Sequence, residues 1–340
     1  MIGMFENIRI GGISVAVPCK VEENILAADY LGARRCKKQI KLTGIERRHV
    51  SPVDQKMSDL CYVAAKKLIE HLKWNTADIK VLVLLTQNPN YIAPSTAFLL
   101  HKMLGLSKEC VVFDVNLGCS SFNVGLQIVG SLLQQFPGNA KGICLQGDLA
   151  YNTVNPSIPP DAMAGNLLFG SAGSATALEK TVNKVSPISY ATYSDGTRYE
   201  AILRKKNTDS VHMDGEGVFN FTVNDVVNDI NAFKEATGLN EDNIDFYVFH
   251  QAQKLILDNV ATLSNISEQK ELRSLKDYGN TSGASVPLSI CSNIDSFNNR
   301  KNVNMFTCGF GIGLSWSMAY INLETANILP VIYTDEVFEG

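Results

Sequence analysis

Short runs of nearly unbroken apolar residues, alternating with stretches of helical periodicity, constrain this chain more than any other feature. "IKVLVLLTQ" (79–87) is the clearest run. Successive strand side chains point to opposite faces, so a strand of this kind is stable only when both faces are covered. "NIRIGGISVAVP", "CVVFDVN", "AKGICLQGDLA", "IDFYVFHQA", "VNMFTCGFG" and "LSWSMAYINL" read the same way. Between them, "MSDLCYVAAKKLIEHL", "PSTAFLLHKMLGL", "SSFNVGLQIVGSLLQQF", "FNFTVNDVVNDINAFKEATGL", "QKLILDNVATL" and "SVPLSICSNIDSF" have helical spacing. Pro94 and Ser95 are expected to start the second helix. Alternation of this kind predicts the α/β class, with parallel sheets covered by helices.

The chain has 340 residues, enough for one large domain or two ordinary ones. "EKTVNK" (179–184) interrupts the apolar pattern, so two similar halves are expected, 1–182 and 183–340. Hydrophobic residues make up 45% and charged residues 19%, which excludes disorder and fibrous repeats. A net charge of −4, with dispersed Lys and Arg, leaves no footprint for nucleic acid. No apolar run is long enough to span a bilayer, and no leader pattern opens the chain. A cytoplasmic location without membrane association is therefore expected. The eight cysteines show no Cys-x-x-Cys or Cys–His spacing, so no metal is expected and reduced thiols are. "NPSIPPDAMAG" (155–165) reads as a surface loop, either a lid or a plain connector.

Four segments carry candidate chemistry. In "FDVNLGCSSFNVGLQ" (113–127), Cys119 stands between a strand and a buried helix. Free N–H groups and the helix dipole at that point would lower its pKa and create a nucleophile. A packed core cysteine is the alternative. Gly118 would permit a sharp turn there. His250 closes an apolar strand at its C-terminal edge, where ligands gather in α/β sheets; it also fits a structural histidine. Asn280 lies in a Gly-containing turn before a helix and fits a turn or cap residue, with Ser282 as another cap. Gly309, Gly311 and Gly313 separate two strands, as a hairpin or as backbone that approaches a ligand closely.

Together these segments resemble the thiolase superfamily, specifically β-ketoacyl-acyl-carrier-protein synthase III. "TGIERRHV" (43–50), "PSTA" (94–97), "NLGCSSF" (116–122), "HQAQ" (250–253), "GNTSGASVPL" (279–288) and "GFGIGLSWS" (309–317) occur in that family's order. The resemblance implies a five-layer αβαβα fold and a homodimer, with Cys119 in the first half and His250 and Asn280 in the second. It implies acyl transfer from a thioester to Cys119, then decarboxylative Claisen condensation with a malonyl thioester. His250 through a ring N–H and Asn280 through its amide would stabilise the enolate. The backbone N–H of Cys119, with one from Gly311, Ile312 or Gly313, would hold the acyl oxyanion. No tightly bound cofactor is implied. Acyl-coenzyme A or acyl-carrier-protein thioesters would be substrates, and acyl carrier protein a partner.

Several positions depart from that family. Lys38 and Leu42 stand where an aromatic residue and an arginine usually hold the adenine end of coenzyme A. Gln253 and Leu255 replace an asparagine and an arginine, and Ser171 replaces an aspartate in "FGSAGSATA" (169–177). The candidate carrier-binding residues are Lys38, Arg47, Gln253 and Lys254, with Ala93 lining the acyl site from a partner subunit. The cluster Arg34, Arg35, Lys37, Lys38 and Lys41 either binds phosphate or is a solvated face. These losses suggest a specialised paralogue with a carrier-borne substrate. A hydroxymethylglutaryl-type synthase would need a carboxylate near the thiol, and "LTQNPN" offers Gln87 instead. A non-decarboxylating acyltransferase and an inactive structural subunit remain as rivals.

Overall fold

The computed structural model describes residues 1–150, 167–205 and 211–338. The loop at 155–165 lies outside the described residues. The strands are β1 (Ile2–Phe5), β2 (Ile8–Val17), β3 (Val21–Glu23), β4 (Arg47–His49), β5 (Ile79–Leu85), β6 (Val111–Val115), β7 (Lys141–Asp148) and β8 (Ala172–Lys180). They continue with β9 (Ile188–Ser194), β10 (Ile202–Arg204), β11 (Val211–Met213), β12 (Phe246–Phe249), β13 (Glu271–Leu272), β14 (Asn302–Gly311), β15 (Ser315–Glu324) and β16 (Ile332–Tyr333). The main helices are α1 (Ala33–Thr43), α2 (Met57–His71), α3 (Thr96–Met103), α4 (Ser121–Leu133), α5 (Gly215–Phe221), α6 (Val227–Thr237), α7 (Lys254–Leu263) and α8 (Ser285–Ser292). A single π-helical turn, Thr222–Val226, joins α5 to α6.

One six-stranded sheet has the order β16-β2-β8-β7-β5-β6, and the other β1-β9-β15-β14-β12-β13. Each sheet thus takes a short terminal strand from the opposite end of the chain. The strand runs sit where their composition requires. In β5, Val81, Val83 and Leu85 face the central core, while Ile79, Leu82 and Leu84 face α2 and α3. In β12, Phe246 and Val248 face the centre, and Tyr247 and Phe249 face α6 and α7. Helices α4 and α8 lie between the sheets, giving five layers.

The sheets are mixed, whereas the sequence suggested parallel ones. β5 pairs in parallel with β6 and β7, and β12 with β13 and β14. β8, however, runs antiparallel to β7 and β2, and β14 folds back on β15. The β14–β15 turn is too short for the crossover that parallel pairing needs. α3 begins at Thr96, later than expected, and the Ser95 side chain makes no cap bond. Instead the Asp114 carboxylate of β6 accepts from Thr96 N at 2.6 Å and Ala97 N at 2.8 Å. Among the described residues, no helix is long and apolar enough to cross a membrane.

Close packing around β8 depends on an absent side chain. A Cβ at Gly173 would lie 2.5 Å from Cys61 N and 2.6 Å from Leu60 C, both backbone atoms of α2. Gly173→Ala must push a helix from its sheet, and chemical denaturation should show a loss of about 2–3 kcal/mol. An unchanged unfolding midpoint would contradict this packing.

Candidate active site

Cys119 lies between β6 and α4, one residue before the helix N-cap, Ser120. The rest of the local turn is tied to the β14–β15 hairpin. Ser120 Oγ bonds Ser315 Oγ at 2.7 Å, and Ser317 Oγ donates to Ser120 O at 2.7 Å. Glycines make this apposition feasible. A Cβ at Gly309 would stand 2.6 Å from Cys119 O; one at Gly311 would stand 2.7 Å from Cys119 Cβ and 3.0 Å from its sulfur. Gly118 has an ordinary φ and serves space rather than turning. A Cβ there would meet the Gln87 amide oxygen at 2.5 Å.

Cys119 is half-buried as a residue, while six of the other cysteines are buried and Cys19 is on the surface; all eight are free thiols. The backbone N–H groups of Cys119 and Ile312 and the Ser282 hydroxyl favour a thiolate. Desolvation outweighs them, and with the Asp148 charge it pushes the thiol up to about 12. The expected lowering at the helix terminus is therefore overturned. Partial charges at one helix end cannot replace the water that burial removes. Ile312 supplies the hairpin N–H nearest the sulfur, Gly311 supplies room, and Gly313 lies in the turn with φ 138°.

His250 follows β12 directly, and its N–H donates to Cys308 O at 2.8 Å. Its buried ring stands edge-on to Phe310. Nδ1 is 2.8 Å from Ser285 Oγ and 3.2 Å from Ser282 O. Ser285 gives its own proton to Ser282 O at 2.7 Å, so both neighbours of Nδ1 act as acceptors. Nδ1 thus carries the ring proton, and the Nε2 lone pair is left as an acceptor. Burial holds the imidazole down at about 4, neutral at pH 7. In this arrangement the ring proton sits on Nδ1 and Nε2 faces the Asn280 amide.

Asn280 is clamped by its own backbone, which exchanges hydrogen bonds with Leu168 O and Gly170 N at 2.9 Å each. Its Oδ1 accepts from Ser282 N at 2.9 Å, so Nδ2 turns toward His250 Nε2, 3.5 Å away. Ser282 is therefore not a helix cap; it makes no capping bond. It adopts φ 51°, unusual for a residue with a side chain, and bonds both His250 and Asn280 through its backbone. Ser282 thus ties His250 to Asn280 and lies beside the turn that carries Cys119, its Oγ 3.1 Å from where a Cβ at Gly118 would stand.

The sequence reading missed Asp148. This buried carboxyl ends β7, and its Oδ1 accepts from Thr86 Oγ1 at 3.1 Å and Gln87 N at 2.8 Å. Burial pushes it up to about 6. A carboxylate at the C-terminal edge of an apolar strand is the same signal that singled out His250. Ser171, the residue in place of aspartate, accepts from Ala150 N at 3.0 Å and Ser51 N at 3.3 Å, a structural use.

The carrier-binding candidates lie apart from this cluster. Lys38 is exposed on α1, and Ala93 is exposed before α3. Arg47 pairs with Glu23 at 3.2 Å and Asp277 at 3.7 Å; Lys254 pairs with Asp258. Gln253 is half-buried at the α7 N-cap. Among the described residues, no group of three His, Cys, Asp or Glu side chains could hold a metal ion.

A family model described as "3-Oxoacyl-[acyl-carrier-protein (ACP)] synthase III C terminal" matches residues 234–323. A β-ketoacyl-[acyl-carrier-protein] synthase III of Prochlorococcus marinus is 31% identical over 295 residues, covering 82% of this chain and 86% of that protein. One from Clostridium perfringens is 29% identical, covering 94% of this chain and 100% of that protein. The crystal structure of a 3-oxoacyl-(acyl-carrier protein) synthase from Burkholderia xenovorans superposes with a TM-score of 0.91 at 28% identity, over 98% of this chain and 99% of that one.

The His250 ring gives a direct check. Nitrogen NMR should find Nδ1 protonated and the ring titrating near 4; an Nε2–H ring or a pKa near 6.5 would contradict the geometry. The sign for stability follows. The folded pKa lies below the unfolded one, so His250 costs nothing above about pH 6.5 and costs progressively more toward pH 4, about 3 kcal/mol in all.

Proposed function

The chain belongs to the β-ketoacyl-[acyl-carrier-protein] synthase III family, and from that premise we propose how its own residues carry out acyl transfer and condensation. Cys119 Sγ attacks the carbonyl carbon of an acyl thioester. The oxyanion is received by the N–H groups of Cys119 and Ile312, the two backbone donors turned toward the sulfur. The leaving thiol departs, and the acyl group remains on Cys119. A malonyl thioester then places its carbonyl oxygen at Asn280 Nδ2, whose free N–H stabilises the enolate formed as CO2 leaves. The enolate carbon attacks the acyl carbonyl and releases Cys119. His250 adds a second donor when its Nε2 carries the ring proton. The two halves divide at 182 and 183 in this reading, the first holding the thiol and the second the carbonyl donors.

The observation that carries this reading is the Ser282-centred cluster, with the Asn280 amide oriented donor-inward by Ser282 N. It also favours condensation over a non-decarboxylating transferase, which needs a base toward its acceptor but no carboxamide donor. An inactive subunit would have no use for a clamped Asn280.

We infer a protein-borne thioester as one of the substrates. α1 presents Arg34, Lys37, Lys38 and Lys41 on its exposed surface and contains no acidic residue. Its end, Gly44, packs against Lys254 at the start of α7, four residues after His250. A basic helix whose end packs on the start of α7 suits an acidic acyl carrier protein or the phosphate of its prosthetic arm. Exposed Leu42 and Leu255 offer no phosphate contact. A homodimer is part of the same reading. Among the described residues β6 pairs on one side only, its Val111 is exposed, and Phe98 and Ile92, near Ala93 in the chain, are exposed too.

The experiment is CO2 release from a malonyl thioester by the acyl-loaded protein. Asn280→Ala should slow it by about 100-fold or more while Cys119 still accepts its acyl group. Release unchanged in that variant, or no release by the native protein with any carrier, would overturn the condensation reading.

A further inference from the structure

Strand β4 carries two consecutive arginines, and alternate strand residues face opposite ways. Arg47 is partly exposed and pairs with Glu23 and Asp277. Arg48 is fully buried. A buried guanidinium is expensive unless its donors are met. Nε donates to Asn24 Oδ1 at 2.8 Å, Nη1 to Phe169 O at 2.9 Å and Nη2 to Glu22 Oε2 at 3.2 Å. Glu22 lies on β3, the partner strand of β4, and Asn24 follows that strand directly. Phe169 belongs to neither strand, so Arg48 reaches out of its own hairpin to one distant carbonyl.

That carbonyl lies in the segment that holds Asn280. Phe169 forms an isolated β-bridge with Asn280, closed by Gly170 N to Asn280 O and Asn280 N to Leu168 O at 2.9 Å each. Further contacts fasten the β4 hairpin to both sides of that bridge. His49 O accepts from Ser171 N at 2.8 Å, and Asn24 Nδ2 donates to Leu167 O at 2.9 Å. On the other side, Glu46 N donates to Lys276 O at 2.9 Å, and the His49 ring stacks on Tyr278 with centroids 5.0 Å apart. Gly279 leaves room for the Arg48 stem: a Cβ there would stand 3.0 Å from Arg48 Cγ.

We propose that Arg48 is a positioning residue that holds Asn280 in place through the Phe169 carbonyl. The proposal rests on the reading that Asn280 Nδ2 donates to the enolate oxygen. Arg48 itself touches neither Cys119 nor the Asn280 amide. Its guanidinium fixes the 168–170 backbone, and that backbone fixes the main chain of Asn280. Only the side-chain torsions of Asn280 are then left, and Ser282 N sets them through Oδ1. A donor displaced by about 1 Å costs on the order of 100-fold in rate. Lysine keeps the charge at position 48, but its one nitrogen cannot reach acceptors spread around a planar fork.

The test compares Arg48→Lys with the native protein. Acylation of Cys119, followed by mass, should stay within about twofold, while CO2 release from a malonyl thioester slows at least about tenfold. In an Asn280→Ala background the same substitution should slow release no further, because the group through which it acts is gone. Unchanged release overturns the proposal. Equal losses in acylation and release, or a full additional loss in the double variant, mark a merely structural arginine and overturn it too. Hydrogen exchange gives a reading that needs no activity. The Gly170 and Asn280 amides should exchange at least about tenfold faster in Arg48→Lys while β5 and β7 keep native protection. Native-like exchange at those two amides contradicts the proposal. Should Arg48→Lys fail to fold, Asn24→Ala, which removes the Nε acceptor and leaves the arginine in place, decides by the same readings. A native protein that releases no CO2 sinks the condensation reading instead, and the exchange measurement then decides whether Arg48 holds Asn280.

Discussion

The crowding of protein around the Cys119 sulfur is the constraint on which the rest of this structure depends. It follows from pressing the turn at 118–121 against a hairpin that lacks side chains at Gly309 and Gly311. In that setting the thiol is pushed up and the imidazole down, so the resting pair is neutral. Reactivity then cannot rest on a standing thiolate. It has to come from donors that act when charge appears, the N–H groups of Cys119 and Ile312.

Ser282 links these parts. Its carbonyl faces Nδ1 of His250, and its N–H fixes the face of the Asn280 amide. A residue that bonds all of its neighbours makes their orientations interdependent. The left-handed backbone at 282 is the local cost of that arrangement, and the Ser285 hydroxyl, donating to Ser282 O, helps hold it.

Much of this was legible in the chain because burial on two faces leaves a plain signature. β5 and β12 read as buried strands since their alternate residues enter different cores. Cys119 and His250 stood out because each ends an apolar run at a junction. What was not legible depended on partners distant in sequence. Strand direction in β8 and β15 is set by connections, not by composition. The start of α3 is set by Asp114 on a neighbouring strand. The sign of the Cys119 shift is set by how much water is lost, which no local motif encodes. Asp148 carried the same edge-of-strand signal as His250, but its partners, Thr86 and Gln87 N–H, are set by a strand distant in sequence.

The account's central claim is that Cys119 is the group that receives an acyl chain. Intact-protein mass spectrometry after incubation with acyl-coenzyme A and acyl-carrier-protein thioesters tests it most directly. The account predicts one acyl mass per chain, located on the peptide that contains Cys119 and absent after Cys119→Ala. No adduct with any donor, or an adduct that survives Cys119→Ala, would contradict it.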